Sequence, residues 1–274
     1  MKGVLSTAVL LLAISPFALA QSDLERAKEV FKGLRDELTI VNKISDILFL
    51  LDTSGSLSSS DFDTEKEFVI NFLSTITVSF EEARVAVIPF GSTASLYIDG
   101  VSNPSLDKDK CDLVQKLKKM PIYINGFYTS TKSAFQLAYD VCLGKYSGQK
   151  RGPLNEVRTV VILVTDGWWN WPFHDPNPTP IAQRLLAANV EVFAIGVGSI
   201  NLPALQKLVK DREKQAFHLR NFADLNNLSL YVRGDPKQNW HPVDSHKCNN
   251  NCQQLEKCIC DLQNYDYKCF CLEC

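Results

Sequence analysis

The chain of 274 residues has no long run of one charge sign, and its formal net charge is only −2. That removes the electrostatic ground for expecting nucleic acid or an anionic membrane as partner. Beyond the first twenty residues no segment is long and apolar enough to cross a bilayer, and there is no internal repeat or low-complexity tract. A dinucleotide site would need Gly-x-Gly-x-x-Gly after the first strand-like run, where Gly55 stands alone; Gly196-Val197-Gly198 reads as a tight strand-to-helix turn. Gly-x-Ser-x-Gly is absent around Ser54, and none of His174, His218, His241 and His246 falls in a recognisable catalytic setting. No reaction class can be assembled from these residues, so the chain is expected not to be an enzyme.

What is present begins with an export signal. Met1-Lys2-Gly3, the apolar stretch through Leu10-Leu11-Leu12 and the small-x-small Ala18-Leu19-Ala20 read as a signal peptide over 1–20, its apolar run broken at Ser15-Pro16 and short for an anchor. The mature protein is expected to be secreted. Nine cysteines in an exported chain point to disulfides rather than thiol or zinc chemistry, and seven of them crowd into the last 27 residues. Cys248, Cys252, Cys258, Cys260, Cys269, Cys271 and Cys274 form a tail over 248–274 with too few large apolar residues to fold without cross-links. Three disulfides leave one cysteine over, which suggests a disulfide-linked dimer. Cys111 and Cys142 are expected to bond to each other.

Between signal and tail, Leu24, Ala27, Val30, Phe31, Leu34, Leu38 and Val41 recur at helical spacing, an amphipathic helix over 21–44 opened by a capping box at Ser22-x-x-Glu25. It would pack on the domain that follows or bind a partner. From 45 to 233 strand-like and helix-like patterns alternate, which signals an α/β fold with a mostly parallel sheet covered on both faces. Strands are expected at 46–51, 84–90, 94–98, 157–164, 190–197 and 216–220, and helices at 61–78, 107–119, 131–144, 179–189, 201–212 and 222–232. Gly91-Ser92-Thr93 suits a hairpin, making one edge strand antiparallel. Residues 145–156 read as a surface loop and 234–247 as a linker. Asn227-Leu228-Ser229 is an N-glycosylation sequon, equally well explained as a solvated helix end.

The chemistry sits at the strand ends. Ile47-Leu48-Phe49-Leu50-Leu51 runs into Asp52-Thr53-Ser54-Gly55-Ser56, where alternation turns Asp52, Ser54 and Ser56 to one side. A second apolar run, 159–164, ends in Thr165-Asp166-Gly167, and between the two lies Tyr128-Thr129-Ser130-Thr131-Lys132-Ser133-Ala134-Phe135. Small hard oxygens at the carboxyl edge of a parallel sheet suit Mg2+; an Asp/Ser-rich helix cap is the plainer account of the first segment alone.

These three segments together resemble the metal-ion-dependent adhesion site of von Willebrand factor type A domains: Asp-x-Ser-x-Ser, a loop Thr, then Thr-Asp-Gly. The resemblance implies an open, mostly parallel six-stranded sheet with one antiparallel edge strand, and metal-site residues Asp52, Ser54, Ser56, Thr129 and Asp166. Ser54, Ser56 and Thr129 would bind Mg2+ directly (Mn2+ being the second candidate), while Asp52 and Asp166 act through water or as acceptors. The loop departs from the family pattern at Gly126-Phe127-Tyr128 and at Lys132, where Gly is usual. The resemblance continues, in family members that also carry sushi, EGF-like and pentraxin modules, through the leading helix, Lys110-Cys111, Pro180-Ile181-Ala182 and the cysteine cluster.

It implies an adhesion or matrix protein that grips a Glu or Asp of a matrix or cell-surface protein through the metal. Phe127, Tyr128, Trp168, Trp169 and Trp171 ring that face as candidate partner-binding residues; rings packed under their own loops are the alternative, and Pro172, Pro176, Pro178 and Pro180 would hold them there. A structural matrix component cross-linked through its tail, the metal incidental, is the competing function.

Overall fold

The computed structural model describes residues 16–39, 44–79, 82–102, 110–143, 157–167, 177–233, 242–243, 256–261 and 266–271; for 16–22, 111 and the last three segments it describes the backbone alone. The first element is α1 (Pro16–Leu38), followed by β1 (Ser45–Asp52), α2 (Ser59–Phe72), β2 (Ala83–Phe90), β3 (Ile98–Asp99), α3 (Lys110–Lys118) and α4 (Thr131–Cys142). Then come β4 (Arg158–Thr165), α5 (Thr179–Ala187), β5 (Glu191–Val197), α6 (Leu202–Leu205), α7 (Arg212–Gln215), β6 (Ala216–Leu219) and α8 (Phe222–Val232). Six strands form one sheet in the order β3-β2-β1-β4-β5-β6, parallel except for the edge strand β3, as expected. The winding reverses between β1 and β4, whose carboxyl ends carry Asp52 and Asp166. In such sheets the crevice at that reversal is where ligands bind.

Every residue of β1 and β2 is buried, because helices cover both faces. On one face Ile47, Phe49, Leu51, Val160 and Ile162 meet α1, α2, α3 and α8; on the other, Leu48, Leu50, Val161 and Leu163 meet α4 and α5. α1 belongs to the first core: Phe31 is fully buried and its ring lies 5.6–6.2 Å from those of Phe68, Phe72, Phe193 and Phe217. The leading helix therefore packs on its own domain. Arg35, buried at its end, donates to the Val232 carbonyl and so closes the C-terminus of α8.

Several expectations need correction. α1 runs through Ser22 from Pro16, so the capping box is not used there, and it ends before β-branched Thr39, Ile40 and Val41, poor helix formers. α2 stops at Phe72 instead of 78; Ser74-Thr75-Ile76-Thr77-Val78 favours other conformations, and Lys110 Nζ donates to the freed Ser74 carbonyl at 3.1 Å. The edge strand shrinks from 94–98 to two residues because Pro89, on the facing strand, has no N–H to give to the ladder. The helix expected at 201–212 is two short ones, since Asp211 accepts from Glu213 N and Lys214 N and starts a new turn.

Cys142 is a free thiol, and the expected bond to Cys111 is not formed in this structure. α3 buries Leu113, Val114 and Leu117 on one face of the sheet, whereas Cys142 packs on the other, so the sheet separates the two helices. Asn227 is exposed on α8, while the Ser229 hydroxyl of the same sequon is buried and accepts from Asn71 Nδ2 at 2.8 Å. The loop 145–156 lies outside the described residues. In the tail, β7 (Pro242–Val243), β8 (Glu256–Asp261) and β9 (Asp266–Cys271) pair antiparallel, with Cys258 opposite Cys269; the cysteine side chains lie outside the described residues.

Candidate metal centre

β1 carries Asp52 to the upper edge of the sheet, fully buried. Its Oδ1 accepts from the Ser54 N–H at 2.9 Å, which curls the chain back over the carboxylate, and its Oδ2 accepts from Thr165 Oγ1 at 2.6 Å, which ties β1 to β4. The Thr53 N–H and Oγ1 both donate to the Phe90 carbonyl, at 2.7 and 3.0 Å, fixing the start of the loop on β2. Burial pushes Asp52 up to about 6, against the hydrogen bonds from Thr165 and Ser54 that favour its charge. Ser54 Oγ and Ser56 Oγ stand 3.1 Å apart, and Ser56 Oγ donates to Asp166 Oδ1 at 2.7 Å. Asp166 is half-buried, and burial raises its carboxyl above the ordinary range.

Thr129 arrives from the loop 121–130, which departs from the family pattern but is pinned on two sides. Gly126 adopts φ +87°, open to glycine at little cost. A Cβ on Gly91 would lie 2.2 Å from the Gly126 carbonyl oxygen, so only glycine lets the loop come this close. Asn125 Nδ2 donates to Pro89 O at 2.6 Å, Ser130 N to Gly91 O at 2.7 Å and Gly55 N to Phe127 O at 2.8 Å. These bonds join the loop to the ends of β1 and β2 and bury Thr129 against the site, 2% exposed. The helix that follows, α4, packs on the opposite core face, which holds the loop from behind.

The segments meet at Gly167. A Cβ placed there would lie 3.5 Å from Thr129 Oγ1, 3.8 Å from Ser56 Oγ and 3.9 Å from Asp52 Oδ2. Glycine thus leaves an open cradle bordered by two hydroxyls and a carboxylate, one hydroxyl from the Thr129 loop and the other two groups from the turn after β1. Among the described residues no three His, Cys, Asp or Glu are grouped to hold an ion by themselves. A cation seated here would draw on hydroxyls as well as carboxylates, which suits a hard oxygen-seeking ion that keeps some water.

Sequence reading missed Glu65. It is fully buried on α2, and among the described residues neither carboxylate oxygen has a partner within hydrogen-bond geometry. Burial above all, with Asp52 and Asp166 nearby, holds its carboxyl well above the ordinary range, against the Asp52 backbone amide. A signal was available: with Phe62, Val69 and Phe72 it falls on the apolar stripe of α2, where a lone acid is out of place.

The aromatic candidates divide. Phe127 is 69% exposed and Tyr128 is exposed beside it, next to Thr129. Phe127 stacks on Tyr123 with ring centroids 5.1 Å apart, and Tyr123 Oη donates to the Leu57 carbonyl at 2.7 Å, so the pair is held up rather than folded under. Trp168, Trp169 and Trp171 lie outside the described residues, as do His174, His241 and His246; His218 Nε2 is 2.7 Å from the Gly198 carbonyl oxygen, away from the site.

The family profile of the von Willebrand factor type A domain matches residues 46–230. The Mus musculus protein named sushi, von Willebrand factor type A, EGF and pentraxin domain-containing protein 1 is 26% identical over 265 residues, covering 92% of this chain and 7% of that one. Matrilin-3 of Mus musculus is 29% identical over 187 residues, covering 67% of this chain and 36% of the other. The chain therefore spans a minor part of these relatives' lengths. Among solved structures, proximal thread matrix protein 1 from the mussel byssus superposes with a TM-score of 0.59 at 22% identity, over 70% of this chain and 47% of that one. A structure of the same mussel protein, described as having a zinc-occupied MIDAS motif, gives 0.58 at 23% over the same shares.

Proposed function

The chain belongs to the von Willebrand factor type A family, and on that premise we propose that it is a secreted matrix or adhesion protein that holds a Glu or Asp side chain of a partner protein through Mg2+. The carrying observation is the cradle at Gly167, where Thr129, Ser56 and Asp52 present oxygens to one open point at the winding reversal of the sheet. A bound Mg2+ would supply the positive charge that an external carboxylate recognises. Ser54, Ser56 and Thr129 offer neutral oxygens and leave that charge largely unspent. Asp52 and Asp166 fix the hydroxyls in place, Asp166 by accepting from Ser56 and Asp52 by bending Ser54 back. Phe127 and Tyr128 give the partner an apolar footing beside the charge. Matrilins, among its relatives, are extracellular matrix proteins, and among the described residues no helix is long and apolar enough to cross a membrane.

The test is binding of the full chain to a panel of matrix proteins in Mg2+ and then in EDTA, with Asp52→Ala and Thr129→Ala alongside and circular dichroism to confirm folding. Binding that needs both the cation and the intact site supports the proposal. Binding indifferent to chelation and to both substitutions sinks it and favours a structural component cross-linked through its tail.

A further inference from the structure

Between α5 and the turn 206–212 lies an open groove of about 610 Å3 that shares no residue with the cradle. One face of α5 lines it with Thr179, Gln183, Leu186 and Ala187, while Ile181, Ala182 and Leu185 of the same helix fill the core. The turn brings Lys207, Lys210 and Arg212, all exposed, and no Asp or Glu lines the groove. Several cations elsewhere are held by carboxylates, Lys28 by Glu25, Lys66 by Asp63 and Arg220 by Asp224. These three make no ion pair among the described residues. Asp211, set between Lys210 and Arg212, is spent on α7: it accepts from Glu213 N and Lys214 N and pairs with Lys214 at 3.9 Å.

The turn is fixed from both sides. Gln183 Nε2 donates to the Lys207 carbonyl at 2.9 Å, and Gln215 Oε1 accepts from Lys210 N and Asp211 N at 3.1 and 2.8 Å. Beneath it Leu205, Leu208 and Val209 are buried. Three like charges therefore stand on a pinned stretch of backbone, and an external polyanion relieves their repulsion without reordering the chain.

We propose that this groove binds a sulfated polysaccharide, whose repeated anionic groups meet Lys207, Lys210 and Arg212 together. The Thr179 hydroxyl and the Gln183 and Gln206 amides beside them suit sugar hydroxyls. No aromatic ring lines the groove to stack a base, which sets single-stranded nucleic acid aside. No large exposed apolar side chain lines it either, and its concave form does not lie flat on a bilayer. An acidic peptide brings a backbone N–H for every carbonyl, whereas the charged side chains here only donate. The net charge of −2 hides the groove because the positive charge is local.

The experiment measures binding of the full chain to a heparin hexasaccharide by calorimetry, in EDTA, so that the cradle takes no part. Its desulfated counterpart, hexaglutamate and a single-stranded oligonucleotide serve as comparison probes. The parent should bind the sulfated hexasaccharide most tightly, with affinity falling at least about tenfold between 50 and 200 mM salt. Lys207→Gln/Lys210→Gln/Arg212→Gln, at exposed positions, should weaken binding by at least about tenfold. Lys32→Gln/Lys119→Gln/Arg233→Gln removes equal charge outside the groove and should stay within about twofold of the parent. Equal losses in the two triple variants would reduce the effect to net charge and overturn the proposal. Hexaglutamate or the oligonucleotide binding as tightly as the hexasaccharide overturns the choice of partner. Binding that disappears in EDTA assigns the polyanion to the cradle instead; failure of Mg2+ to support matrix-protein binding leaves this groove untouched.

Discussion

At the lower edge of the sheet, where β1 and β4 begin, every acid on the core strands has a guanidinium. Arg84 donates from Nε and Nη2 to the two Asp46 oxygens, both at 2.7 Å and buried. Arg158 donates from Nε and Nη2 to Glu191 at 2.7 and 3.0 Å and from Nη1 to Glu37 at 2.7 Å. At the upper edge, where the same two strands end, Asp52 and Asp166 accept from hydroxyls, and no guanidinium is paired with either among the described residues. One end of the sheet closes its charges within the chain; at the other, burial holds the Asp52, Asp166 and Glu65 carboxyls above their ordinary range. That difference is what the proposed cation site at the upper edge would account for.

The sharpest way to break the comparison is at the closed end. Arg84→Met leaves Asp46 buried and unpaired and is expected to cost about 3–5 kcal/mol in urea unfolding. The double variant Arg84→Met/Asp46→Leu, which removes both charges, should recover most of that loss. A cost below about 1 kcal/mol for the single change would mean that the lower pair is solvated and the contrast between the edges is false.

At the open end the sign reverses. Asp52 titrates at about 6 in the fold against an ordinary value of 3.8, so the cation-free fold takes up a proton more readily than the unfolded chain. Its contribution is fully present below about pH 4 and is lost as pH rises through about 6, a change of about 3 kcal/mol by linkage. In EDTA, Asp52→Asn should therefore match the parent near pH 4 and exceed it at pH 7, while binding no Mg2+. Saturating Mg2+ should lift the parent by about 2.7 kcal/mol at a hundredfold excess over its dissociation constant, and leave the variant unmoved. Equal pH profiles for the two in EDTA would show that Asp52 is solvated.

The contrast was half visible in the residues. Buried strands announce themselves as unbroken apolar runs, and 47–51 and 159–164 each end in an acid followed by small polar residues, so the five residues proposed to hold the cation were legible as residues of the upper edge. Element ends were harder, because Pro89 shortens its partner strand through a missing donor and Asp211 breaks a helix through a cap, effects that depend on what lies opposite. The lower pairs were not legible at all: Asp46 and Arg84 are 38 residues apart and meet only through the β1·β2 register. Glu65 hid in a charged stretch, Asp63-Thr64-Glu65-Lys66-Glu67, where burial of one acid among several depends on helix phase.

A smaller effect separates the two lower pairs from each other. The Arg158 side chain is 24% exposed and its partners Glu191 and Glu37 more so, which lets water screen the attraction. Arg158→Gln should cost no more than about 1 kcal/mol, and that cost should shrink in 1 M salt while the Arg84 cost persists. Equal costs at both positions would place burial second to geometry.

The smallest expected change in stability tests the upper edge as a surface. Phe127 keeps 69% of its area exposed although its ring stacks on Tyr123, and its backbone carbonyl, not its side chain, secures the loop through Gly55. Phe127→Ala removes side-chain area that is mostly in water already, so unfolding should shift by no more than about 0.5 kcal/mol. If the apolar rim and the cation act on one partner, the same change should weaken Mg2+-dependent binding by about tenfold, because a truncated aromatic contact at an interface centre costs more than 1 kcal/mol. Weaker binding with an unchanged response to EDTA would place the ring beside the cation. A binding constant equal to the parent's would leave Thr129 and its cradle as the whole of the recognition surface on this side of the loop.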